Sequence, residues 1–178
     1  MTRFLILFLV LLGGLFSAQI MQSVQDAVIL PFTAVVADVS VAIVRTFDSD
    51  VAASGKIIRS LSNNFAVSIE PGCNGVEALI VLFSAIFAFP APLKHKLAGF
   101  AVGFFAIQGL NLVRIISLFY LGQWNLDAFN FFHLYLWQAL IILDALVVWL
   151  VWLRYLPPQD PESPADPGDP PAAVAAAG

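Results

Sequence analysis

With 178 residues, 60% of them hydrophobic and 11% charged, against roughly 25% charged in a soluble domain, the chain is no ordinary water-soluble globule, and its mean hydropathy of +0.90 points to a membrane protein. One Cys and two His exclude an internal disulfide framework and a Cys-rich zinc site. The net charge of −4 belongs to Asp160, Glu162, Asp166 and Asp169, in an end stretch without Lys or Arg; the twelve acids less these four balance the eight bases, which leaves no basic footprint for nucleic acid.

Phe4 to Ile20 is an apolar run behind Arg3, about 17 residues long and enough to span. A signal-peptidase site needs small residues at both ends of an A-x-A-like triplet. The best candidate, Phe16-Ser17-Ala18, opens on Phe, so the run reads as a retained helix. Val24 to Val44 is apolar but interrupted by Asp26, Pro31 and Asp38; it could be a second span or a helix lying on the interface, and because a span here would put the N-terminus outside, it reads as interfacial. Phe65, Val67 and Ile69 alternate with Ala66, Ser68 and Glu70, which is strand periodicity. Asn63-Asn64 would turn it back on a strand over Lys56 to Leu61. Such a hairpin must lie outside the lipid, where its edges find water.

Pro71-Gly72 ends that element, and a helix is predicted from Asn74 to Phe89, stopped by Pro90 and Pro92. Lys94-His95-Lys96 reads as a loop. Leu97 to Leu121 is a long apolar run carrying Gln108, Asn111 and Arg114; Gly122 to Asn130 reads as a short loop; Phe131 to Leu153 is a last run carrying His133, Gln138 and Asp144. Pro157 to Gly178 holds seven Pro and cannot build a core.

The positive-inside rule puts the Lys94 and Lys96 loop in the cytoplasm. The loop of Gly122 to Asn130, without Lys or Arg, is then outside, and Arg3 and Arg154 are inside. Trp124 marks one aromatic belt; Trp149, Trp152 and Tyr155 mark the other. The fold expected is an all-α integral membrane protein: about four transmembrane helices, an extracytoplasmic interfacial helix and a small β-hairpin. Its parts are an N-terminal transmembrane helix (1–22), the extracytoplasmic segment with the hairpin (23–72), a three-helix catalytic membrane core (73–156) and a disordered Pro/Ala-rich cytoplasmic tail (157–178). The location expected is the inner (plasma) membrane, with both termini cytoplasmic.

In this topology three residues reach one depth on the outer side. Cys73 sits at the mouth of the second span. Arg114 is roughly 27 Å above Lys96 on the third. His133 opens the fourth. A lone Cys is by itself a small inert hydrophobe, and a His at a span end suits the interface. An Arg within a span costs ~2.5–3.5 kcal/mol and asks for a function. Together the three suit nucleophilic acyl transfer. A thiolate is stabilised by nearby cations and by a helix N-terminus, and Asn74 is expected to start a helix. His133 would be general base and then acid, and Arg114 would hold the thiolate or the oxyanion. Asn111 lies one turn from Arg114 and Glu77 one turn from Cys73. With Asn74 they are the supporting candidates. Asp144 is too deep to orient His133 and should pair with another polar group inside the bundle. His95 reads as a solvated loop residue.

Pro71-Gly72-Cys73-Asn74-Gly75-Val76-Glu77, Ala88-Phe89-Pro90, Asn111-Leu112-Val113-Arg114-Ile115 and the stretch from Phe129 to His133 resemble the exosortase/archaeosortase family of membrane cysteine enzymes. The resemblance covers about Gly55 to Leu153, and the short chain looks like the compact exosortase H type. It implies that Cys73, Arg114 and His133 are catalytic. It also implies substrates: exported proteins with a C-terminal sorting signal made of a short motif, a transmembrane helix and a basic cluster. Such a helix would dock beside the bundle among the membrane lipids, the motif would be cleaved through a thioacyl enzyme, and no metal or organic cofactor is implied. Two other readings compete. A thiol-redox protein needs a resolving Cys, which this chain would have to borrow from a partner. A non-enzymatic assembly or transporter subunit would pair Arg114 with Asp144 or Glu77.

Overall fold

The computed structural model describes residues 2–156; the tail expected over 157–178 lies outside the described residues. In chain order the elements are α1 (Thr2–Gln19), α2 (Gln22–Val44), β1 (Val51–Ser54), β2 (Ile57–Ser60), β3 (Ala66–Ser68), α3 (Val76–Ala88), α4 (Leu93–Trp124) and α5 (Leu126–Arg154). Four of them, α1, α2, α4 and α5, are long and apolar enough to cross a membrane.

Two elements differ in length from the expectation. The run over Val24 to Val44, expected on the interface, is a helix of 23 residues and long enough to cross. Pro31 does not break it, because it falls in the first turn after a π-helical segment, Gln25–Ile29, where the regular ladder is already displaced. Asp26 and Asp38 are exposed, which suits contact with water or headgroups and would be costly against lipid. Conversely, α3 has 13 residues, about 20 Å, too short to cross unaided. It starts at Val76, two residues after the predicted Asn74. It ends before Pro90, and Lys96 donates to the Phe87 carbonyl (2.9 Å), which satisfies one of the orphan carbonyls of its last turn.

The expected hairpin is β2 and β3, paired antiparallel with Ile57 opposite Ser68. Asn64 takes a left-handed φ of 62°, and Asn63 Oδ1 accepts the Phe65 N–H (2.8 Å), so the Asn-Asn turn forms. The sheet has a third strand that the pattern does not reveal. β1 pairs with β2 and completes the order β1-β2-β3; its Ala52-Ala53 carry little strand preference.

α4 has 32 residues, about 48 Å, and is the axis of the molecule. It begins at Leu93 and absorbs the expected Lys94-His95-Lys96 loop into its first turn. His95 is therefore not a solvated loop residue: it is half-buried, its carbonyl accepts the Trp152 Nε1–H (3.0 Å), and its Nδ1 is buried. Along its first half α4 packs with α3 and α5 around Leu82, Ile86, Ile107, Ile141 and Ala145. A Cβ on Gly103 would stand 2.4 Å from Leu82 Cδ2, so only Gly permits this approach. Along its second half α4 packs with α2 and the sheet around Val41, Val44, Val51, Ile58, Ile115 and Phe119. Between Ile107 and Ile115, where one cluster gives way to the other, the same helix buries Gln108, Asn111 and Arg114.

The expected loop of Gly122 to Asn130 shrinks to Asn125. Asn125 Oδ1 accepts the N–H groups of Asp127 (2.8 Å) and Ala128 (3.0 Å), so it caps a helix that restarts at once. That helix, α5, carries a second π-helical turn at Phe132–Leu136.

Candidate active site

Cys73 lies in a turn between β3 and α3, bracketed by Gly72 (φ 86°) and Gly75 (φ 80°). These left-handed residues reverse the chain twice, which L side chains resist. Asn74, almost fully buried, fastens the turn in three directions. Its Nδ2 donates to Thr33 Oγ1 of α2 (3.0 Å), its Oδ1 accepts the Val76 N–H (3.1 Å), and its carbonyl accepts Gln108 Nε2–H of α4 (3.2 Å). Gly75 packs on α4 so closely that a Cβ would stand 2.7 Å from Gln108 Nε2 and 3.4 Å from the Asn111 amide. Gly75→Ala therefore meets both a forbidden φ and a clash, and should lower stability by about 1–3 kcal/mol. Thermal unfolding of the purified protein in detergent checks this; an unchanged midpoint would refute the tight-turn argument.

The turn presents Cys73 to the two residues expected beside it. Cys73 Sγ is 3.1 Å from His133 Nε2 and 3.5 Å from Arg114 Nη2. Arg114, 1% exposed, also donates through Nη1 to the Gly72 carbonyl (3.2 Å). Glu77 Oε1 accepts the Gly72 N–H (2.9 Å) and Gln19 Nε2–H of α1 (3.2 Å). Gly72 is thus held at its carbonyl by a cation and at its N–H by a carboxylate. His133 sits in the π-helical turn of α5, its ring 5.4 Å from that of Phe129. Such turns recur at functional sites because they re-aim one side chain without breaking the helix.

The supporting candidates separate. Asn74 and Glu77 hold the Cys73 turn. Asn111 is fully buried behind Gly75, with neither amide atom hydrogen-bonded among the described residues. Asp144 does not pair as expected: its Oδ2 is buried without a hydrogen-bond partner among the described residues. Gln19 and Thr33 were not singled out by the sequence. Gln19 ends an apolar run, which is a usable signal; Thr33 sits in one and gives none. Among the described residues no three His, Cys, Asp or Glu side chains gather as metal ligands.

Burial, the largest influence, pushes the Cys73 thiol up; Arg114 pulls it down; Glu77 and Glu70 push it up again. The resting sulfur is therefore a protonated thiol: the lowering expected from the neighbouring cation is present but outweighed by burial. A group whose charged form is disfavoured by burial ionises later as pH rises. Alkylation of Cys73 by iodoacetamide should therefore rise with a midpoint above the ordinary value of 9.0, and Arg114→Ala should move it higher still. A midpoint below neutrality would contradict this electrostatic account.

Among known protein families, the model described as Transmembrane exosortase (Exosortase_EpsH) matches residues 2–151 of the chain. No curated protein and no solved structure matches it.

Proposed function

Because the chain belongs to the transmembrane exosortase family, we propose that this membrane protein is a cysteine peptidase or transpeptidase that removes the C-terminal sorting signal of exported proteins. The observation that carries the reading is the approach of Cys73 Sγ to His133 Nε2 (3.1 Å) beside Arg114 Nη2 (3.5 Å). Since the thiol is held protonated at rest, His133 Nε2 takes the Sγ proton as sulfur attacks the scissile carbonyl carbon. The C–O double bond opens to an oxyanion, which the Arg114 guanidinium stabilises in a site shielded from water. The oxyanion collapses, the C–N bond breaks, and the imidazolium of His133 protonates the leaving amine. The transmembrane helix and basic cluster depart, and the thioester stays on Cys73. Water or an acceptor amine, deprotonated by His133, then attacks the thioester and restores the thiol.

Asn74 and Glu77 are positioning residues in this scheme, and Asn111 backs the turn. Lys94 and Lys96 at one end of α4 and the Cys73 site near the other support a site on the outer face of the inner membrane, with both termini cytoplasmic. Against a non-enzymatic subunit built on an Arg–carboxylate pair, the guanidinium spends its hydrogen bonds on the Gly72 carbonyl and the Cys73 sulfur. The test is a co-expressed protein bearing a motif, a transmembrane helix and a basic cluster. The chain should shorten it on a gel and release the C-terminal fragment; a substrate left whole by a normally inserted enzyme would overturn the reading.

A further inference from the structure

α1 and α5 both pack on α3. They meet at one end, where the rings of Phe4 and Trp149 stack with centroids 6.5 Å apart, and are separated by open space above it. A cavity of about 400 Å³ lined by Phe8, Ala85 and Leu146 occupies the lower part of that gap. A second, of about 320 Å³, lined by Phe16, Glu77 and Gln138, occupies the upper part. Both touch Val81, Ile142 and Ala145, so they are one trough. From Trp149 to Gln138 it runs about 17 Å, some three helical turns. It is too narrow to engulf a helix and suited to one face of one, and the small residues Ala78, Ala85 and Ala145 along it allow a backbone to come close.

The trough is apolar below and polar only at its upper end. There it is lined by Gly72 and Gly75, on either side of Cys73, and by Glu77. Glu77 Oε2 is buried and lacks a hydrogen-bond partner among the described residues. A helix N-terminus carries unpaired N–H groups and partial positive charge, so a helix lying in the trough with its N-terminus uppermost would meet the acceptor it needs. The chain has another groove, about 450 Å³, between α4 and α5. It runs beside His95, Val102, Val147 and Trp152 and, unlike the trough, is lined by no residue of the turn that carries Cys73. The two cavities of the trough together exceed that groove in volume, and continuity with the Cys73 turn favours the trough as well.

We propose that the trough between α1 and α5 docks the apolar transmembrane helix of the substrate, N-terminus toward Glu77, so that the segment preceding that helix is laid across Cys73. The inference rests on the sorting-signal reading above and adds where the signal binds and in which direction. The test uses full-length Cys73→Ala enzyme co-expressed with a tagged sorting-signal protein, with a benzophenone amino acid at Ile142 or, for comparison, at Val102. Adducts with the substrate are expected from Ile142 and not from Val102. In otherwise wild-type enzyme, Ile142→Trp, a change at an exposed position, should fill the trough and slow processing at least about tenfold. Val147→Trp should not slow it, and both should leave Cys73 alkylation unchanged. If the wild type processes the substrate but adducts come from Val102, or from lipid alone, the helix docks elsewhere and only this inference falls. If the wild type leaves the substrate whole, the reading beneath it falls as well.

Discussion

Cys73→Ala should abolish release of the sorting signal, by at least about 10⁴-fold, since removing a nucleophile leaves only the residual effects of binding and charge stabilisation. Cys73→Ser should fare nearly as badly. The burial that already pushes the thiol up opposes a far less acidic hydroxyl more strongly, and His133 would have to remove its proton. Neither change should harm folding, because the turn is fastened through the Asn74 side chain, the Gly72 N–H and two backbone carbonyls, not through sulfur. The measurement is the gel shift of a co-expressed substrate, with membrane insertion of each variant checked in parallel. Processing by the variants at the wild-type rate would remove the cysteine mechanism altogether.

Arg114→Ala should cost both rate and stability. Loss of the charge beside the sulfur and the oxyanion should lower turnover about 10²–10³-fold. The Gly72 carbonyl would lose its donor inside the protein, at about 1–3 kcal/mol. Arg114→Lys separates the two effects. An ammonium keeps the charge but cannot serve the Gly72 carbonyl and the sulfur at once, as the forked guanidinium does at 3.2 and 3.5 Å. The lysine variant should therefore stay impaired in turnover. Full activity in Arg114→Lys would mean that charge alone matters and that the bond to Gly72 is incidental.

The meeting of Cys73, Arg114 and His133 was legible because each is costly or singular in so apolar a chain. A guanidinium within a span needs partners, and helical rise alone puts it level with the other two. The β2–β3 turn was legible from its Asn pair. Other features were hidden for definite reasons. Val24 to Val44 reads as interfacial because a crossing there would put the N-terminus outside; its helix is long enough to cross, which a topology argument does not weigh. The start of α3 looked two residues earlier because Asn74, a favoured helix-capping type, instead spends its side chain bridging to Thr33 and closing a local turn. The two π-helical segments leave no trace in hydrophobic periodicity. Neither does the thiol's electrostatics, which depend on burial that only the packed turn creates.

The turn bearing Cys73 is stitched to all four long helices: to Gln19 of α1 through Glu77, to Thr33 of α2, to Gln108 and Arg114 of α4, and to His133 of α5. Synthesis runs from the N-terminus, so the sulfur is made well before the guanidinium, and the imidazole comes last. A nascent or half-inserted chain thus carries a thiol with no base beside it. On the proposed mechanism, the order of the residues along the chain would itself be a safeguard: cleavage of neighbours in the membrane would have to wait until the last helix is in place.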